Sequence, residues 1–68
     1  MYRVETQVNT DGIWYFIPYV CRSIKYTSKV KALAEAVKLE GRWDRVVVYK
    51  EVRGVTQGIV YNTEPNNP

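Results

Sequence analysis

Ile13-Trp14-Tyr15-Phe16-Ile17-Pro18-Tyr19-Val20-Cys21 carries no charged side chain, and its aromatic and β-branched content predicts a strand. A half-buried strand alternates apolar with polar residues, whereas this one is apolar on both faces. One face can lie under a helix. The other must be covered by something else or stay partly exposed, which makes it a candidate binding surface.

The flanking residues set the register of this strand. Residues 2 to 8 alternate, with Tyr2, Val4, Thr6 and Val8 on one side and Arg3, Glu5 and Gln7 on the other. Asn9-Thr10-Asp11-Gly12 has turn chemistry. A two-residue Asp11-Gly12 turn sets Val8 opposite Tyr15, and a three-residue loop with a bulged Gly12 sets it opposite Trp14. The choice turns over every side chain of the second strand. The three-residue loop is favoured, because it gathers Val4, Val8, Trp14, Phe16 and Val20 on one apolar face. Tyr15, Ile17 and Tyr19 then join Arg3, Glu5 and Gln7 on an open face.

Further along, residues 28 to 40 hold the helical pattern. Val30, Leu33, Ala34 and Val37 form the expected core stripe, Thr27 or Ser28 caps the start, and Gly41 suits the left-handed position at the end. Ala32, Ala36 and Leu39 make a weaker stripe and read as helix formers. Residues 45 to 52 are a third strand around Val46-Val47-Val48. A loop through Gly54 and Gly58 leads to a short fourth strand, Ile59-Val60-Tyr61. The reading is an α+β fold, ββαββ, with a four-stranded antiparallel sheet of order 2-1-3-4 and one helix on one face. Pro18 supports an edge position for the second strand.

A chain of 68 residues makes one domain with a small core. Residues 1–61 are assigned to it, and 62–68 to a C-terminal tail rich in turn formers. Cys21 is the only cysteine and there is no histidine, so no internal disulfide and no metal site or other cofactor is expected. Cys21 itself reads as a small buried hydrophobe, and Trp43 as a ring closing one end of the core. The residues after Met1 form no signal-peptide core and no apolar run reaches bilayer length, so a cytoplasmic location without membrane contact is expected.

The net charge of +3 is modest but uneven. No acid lies between Asp11 and Glu35, where Arg22, Lys25, Lys29 and Lys31 all fall. Lys29 and Lys31 in the first helical turn oppose the macrodipole, and with Thr27 and Ser28 they suggest an anion-binding or nucleic-acid-binding end. Tyr15, Ile17 and Tyr19 on the open sheet face suit a protein interface, or base stacking. Ile59 and Tyr61, on an edge strand lacking charge and proline, suit strand addition by a peptide or a second copy. Without histidine or paired carboxylates, and with little room for a pocket, the chain reads as a non-enzyme.

In length and in the ββα order of residues 2 to about 52, the chain resembles the short phage-encoded factors that bind and block host machinery, among them small inhibitors of host RNA polymerase. That resemblance is one of layout; it shares no motif and carries over no residue. It implies an inhibitor or modulator of a host protein in the host cytoplasm. The leading expectation is a small protein-binding module, followed by a nucleic-acid-binding protein and a self-associating homodimer.

Overall fold

The computed structural model describes residues 1–63. They form an α+β fold in which a curled antiparallel sheet is covered on one face by one helix. In chain order the elements are β1 (Tyr2–Thr10), β2 (Ile13–Tyr15), β3 (Ser23–Tyr26), α1 (Lys29–Leu39), β4 (Arg45–Val52) and β5 (Val55–Asn62). The sheet runs β2-β1-β4-β5, and β3 pairs with the same edge of β1 as β2 does. The expected four-stranded order holds only in outline: of the strand expected over 13–21 only Ile13–Tyr15 pairs, and an unexpected fifth strand, β3, lies beside it on β1.

The division has a chemical cause. Val8 faces Tyr15 and Glu5 faces Ser23, so β1 advances three residues while its partner advances eight, and five residues are looped out. Pro18 sits in the middle of the surplus. It has no N–H to give to a ladder, and the chain instead turns on itself, with Ile17 O accepting from Val20 N at 3.0 Å and Cys21 N at 2.7 Å. An unbroken strand over 13–21 is therefore not formed.

The hairpin register is also corrected. Thr10 faces Ile13, so the turn is the two-residue Asp11-Gly12 form, with both residues at positive φ, 54° and 81°. Both central residues of a type I′ turn require this, and its twist matches that of the flanking strands. Arg53-Gly54 repeats the arrangement between β4 and β5, at 53° and 80°. Gly54 thus belongs to a tight turn, and Gly58 lies within a β5 of eight residues rather than in a loop before a three-residue strand.

The valines of β4 anchor the core. Val46 and Val48 pack with Val4 of β1 against Ala32, Ala36 and Leu39 of α1, and Tyr2, Tyr26, Leu33, Trp43, Val60 and Tyr61 close the periphery. Trp43 is thus structural, as expected. The helix, however, presents the opposite stripe. Ala32 and Ala36 are fully buried, while Val30 and Val37 are 77% and 59% exposed. β-branched side chains of the sheet already fill the interface, and small residues let the helix approach them at close packing. Burial of each such valine is worth about 1.5–3 kcal/mol.

The helix ends are as the sequence indicates. Ser28 is the N-cap and its Oγ accepts from Lys31 N at 3.3 Å; Gly41 follows the C-cap Glu40 at φ 84°. Residue 63 still belongs to the ladder: Thr63 N donates to Val46 O at 3.0 Å, and Val46 N to Thr63 Oγ1 at 2.7 Å. The pairing runs two residues past the boundary expected at 61, and the remainder of the assigned tail, 64–68, lies outside the described residues.

Candidate functional site

Residues 16–21, the looped-out stretch with its flanks, are built from the chain's most apolar segment. At the neck, Thr6 N donates to Arg22 O at 2.9 Å and Arg22 N donates to Thr6 Oγ1 at 2.6 Å. Thr6 is fully buried, so this clasp is sheltered from competing water. Cys21, next to the neck, is buried, as its reading as a small hydrophobe anticipates. Beyond it the chain emerges into solvent. Tyr19 is 99% exposed, and Val20, Ile17 and Phe16 are exposed beside it, as are Ile13 and Tyr15 of β2.

Tyr15, Ile17 and Tyr19 are thus accessible, but not as a sheet face. Tyr15 lies on β2 opposite Val8, on the helix side by strand alternation, whereas Ile17 and Tyr19 belong to the loop. Phe16 and Val20, assigned to the core by the three-residue register, are exposed partners of Tyr19. The signals for them were present: Asp-Gly demands a two-residue turn, and Pro18 forbids a continuous ladder.

The sheet face turned away from the helix is polar and ion-paired, though Arg3 Nε, Gln7 Oε1 and Glu51 Oε1 are buried there without a hydrogen-bond partner among the described residues. Arg3 Nε approaches Glu51 Oε2 at 3.4 Å, Lys25 Nζ approaches Glu51 Oε1 at 3.7 Å, and Arg3 Nη1 lies 4.0 Å from Glu5 Oε1. Gln7 Nε2 donates to Glu5 Oε2 at 2.7 Å and to Tyr49 Oη at 3.3 Å. Glu51 and Gln7 are 5% and 8% exposed, and Val47 beneath this layer is fully buried. The aromatic rings of the face are occupied too: Arg3 Cζ is 4.9 Å from the Tyr49 ring centre and Arg45 Cζ is 5.3 Å from that of Trp14. Cations over both rings compete with any base that would stack there.

The four basic candidates do not converge. Strand alternation sends Lys25 to the polar face and Tyr26 to the core. Lys25 is held by Glu51, Arg22 stands at the loop neck, and Lys29 and Lys31 are exposed on the first turn of α1. Among the described residues, no group of three or more His, Cys, Asp or Glu side chains is placed to hold a metal ion.

Ile59 and Tyr61 are separated as well. Two register shifts in the β4–β5 ladder leave Val60 and Gln57 without partners on β4, so β5 carries two bulges. Ile59 consequently pairs with Tyr49 on the polar face and Tyr61 with Val48 on the helix face. The Tyr61 hydroxyl donates to Glu40 Oε1. That hydrogen bond, then burial, raises the Tyr61 pKa above its ordinary value; burial, then the neighbouring Glu35 carboxylate, raises that of Tyr26. Ile59 and Tyr61 therefore do not form one edge patch. Bulges also twist an edge away from flat pairing, which supplies the guard that the uncharged sequence of β5 lacks.

No family model matches the chain, and no curated protein or solved structure matches it. Among the described residues, no helix is long and apolar enough to cross a membrane.

Proposed function

We propose that this chain is a protein-binding module that docks through the looped-out segment around Tyr19. One observation carries the reading: a tyrosine almost wholly in solvent, in a segment where Phe16, Ile17 and Val20 are exposed as well, on a loop clasped at its neck to β1. Scattered apolar residues are ordinary on surfaces, but a contiguous uncharged stretch on one loop is not. Tyrosine is enriched among the residues that dominate protein interfaces, since it offers large area at small entropic cost. The role is binding rather than catalysis. With the likeness in layout to short phage-encoded factors, inhibition or modulation of a host protein in the host cytoplasm is the form it takes.

The other readings have less support. Nucleic acid would use Arg22, Lys25, Lys29 and Lys31, but Lys25 is engaged by Glu51 and the sheet's rings are covered by arginines. A homodimer through β5 would have to accommodate its two bulges. The test is capture from the source lysate at low and high salt, with and without nuclease. A protein retained under all conditions by the native chain and lost with Tyr19→Ala supports the reading. Material that disappears with nuclease or salt alone overturns it, because backbone contacts to nucleic acid weaken steeply as salt rises.

A further inference from the structure

We infer that the partner surface is an uncharged recess on a folded protein, with apolar walls and, at its floor, a hydrogen-bonding group for the Tyr19 hydroxyl; this rests on the proposed function. The hydroxyl points there. Of the six tyrosines, Tyr26, Tyr49 and Tyr61 have hydroxyls engaged within the chain, by Glu35, Gln7 and Glu40 in turn. Tyr19 is 99% exposed, and its hydroxyl has no partner among the described residues. Water serves it in the free chain, and a recess deep enough to cover the ring excludes that water. Leaving the hydroxyl unpaired costs about as much as burial of the ring returns, so the recess must supply the replacement.

Shape, area and charge select the occupant. Residues 16–21 bulge out of the sheet edge between β2 and β3. A two-fold dimer needs a patch complementary to itself, and a projection fits a recess rather than another projection. Phe16, Ile17, Tyr19 and Val20 together expose roughly 500 Å², against roughly 800 Å² a side in a standard interface and more in obligate dimers. A recess makes up that shortfall, because it also covers the flanks of what it receives. No charged side chain lies from Gly12 to Cys21, so the seat that fits them is uncharged too. Nucleic acid, held through its phosphates, finds no cation on this segment.

The experiment places a photo-cross-linking residue, Tyr19→p-benzoylphenylalanine, in the full chain and irradiates it in cells of its source. Val20→p-benzoylphenylalanine serves as a second reporter, should the bulk at Tyr19 obstruct the seat. The cross-linked protein is then purified, and its affinity for the native chain, Tyr19→Phe and Tyr19→Ala is measured by calorimetry. The inference expects adducts in an apolar recess free of charged side chains. Tyr19→Phe keeps the ring but strands the partner's polar group, and should weaken binding about tenfold. Tyr19→Ala should weaken it about thirtyfold or more. Native affinity in Tyr19→Phe, or adducts on a charged surface, overturns this inference while leaving a protein-binding module intact. Adducts only with nucleic acid or with a second copy, none from either position, or native affinity in Tyr19→Ala overturns both.

Discussion

Thr6 and Arg22 form a reciprocal pair, the backbone N–H of each donating to an oxygen of the other, through Arg22 O at 2.9 Å and Thr6 Oγ1 at 2.6 Å. The side-chain hydroxyl stands where a carbonyl would close an ordinary ladder, so one fully buried threonine ends the β1–β3 pairing and starts the loop. Thr6→Val keeps the shape and removes the acceptor. Leaving the Arg22 N–H unpaired should cost about 1–3 kcal/mol. Urea unfolding should record the loss, native-state hydrogen exchange at Arg22 should quicken, and Thr6→Ser should restore most of both.

The two faces of α1 should answer differently to substitution. Ala36 is fully buried against the sheet, so Ala36→Leu overpacks the interface and should destabilise by about 1–3 kcal/mol. Val37→Ser, at a position 59% exposed, should change stability by no more than about 0.5 kcal/mol. Thermal unfolding of both variants measures the contrast. Were Val37→Ser the more damaging, the helix would be turned the other way.

Glycines in β5 and its turn should behave differently from each other. Gly54 has φ +80°, where a β-carbon is strained, and Gly54→Ala should cost about 1 kcal/mol. At Gly58 an added β-carbon meets nothing within 4 Å and no positive φ is required. Gly58→Ala should therefore be neutral, or stabilise by about 0.4–1 kcal/mol by restricting the unfolded chain. Urea midpoints decide between them.

Alkaline stability should fall for an identifiable reason. Tyr26 and Tyr61 are held above their ordinary pKa of 10.0, Tyr26 first by burial and Tyr61 first by its hydrogen bond to Glu40. Above pH 10 the unfolded chain releases protons that the folded chain retains. Their stabilising contribution is thus whole below pH 10 and is lost as pH rises through the folded values. Urea unfolding between pH 8 and 11 should show this decline, and Tyr61→Phe with Tyr26→Phe should flatten it.

Much of the fold is legible in the chain because it depends on strong periods. The β-branched run of β4, the alternation of residues 2 to 8, and Ser28 and Gly41 at the helix ends follow from local chemistry, whereas the short β3, Ser23–Tyr26, forms only by pairing with β1 and was not expected. The helix face does not follow from it either, because a hydropathy stripe ranks Val30 and Val37 above Ala32 and Ala36. What decides there is how much volume the opposing valines leave. The candidate site is legible as a surplus: residues 13 to 21 are too apolar for one helix to cover. Its form is not, because two local rules conflicted, a strand-forming composition and the missing N–H of Pro18, and tertiary pairing with β1 resolved them. Separation of Ile59 from Tyr61 depends on the bulge at Val60, which no residue preference announces.

The central claim is that the apolar loop is presented to a partner and not packed as core. Ile17→Ser combined with Tyr19→Ala tests it when unfolding free energy and partner capture are measured on the same preparation. Stability within about 0.5 kcal/mol of the native chain, with the captured protein lost, is the expected result. Capture that survives both substitutions, or a variant that unfolds, contradicts it.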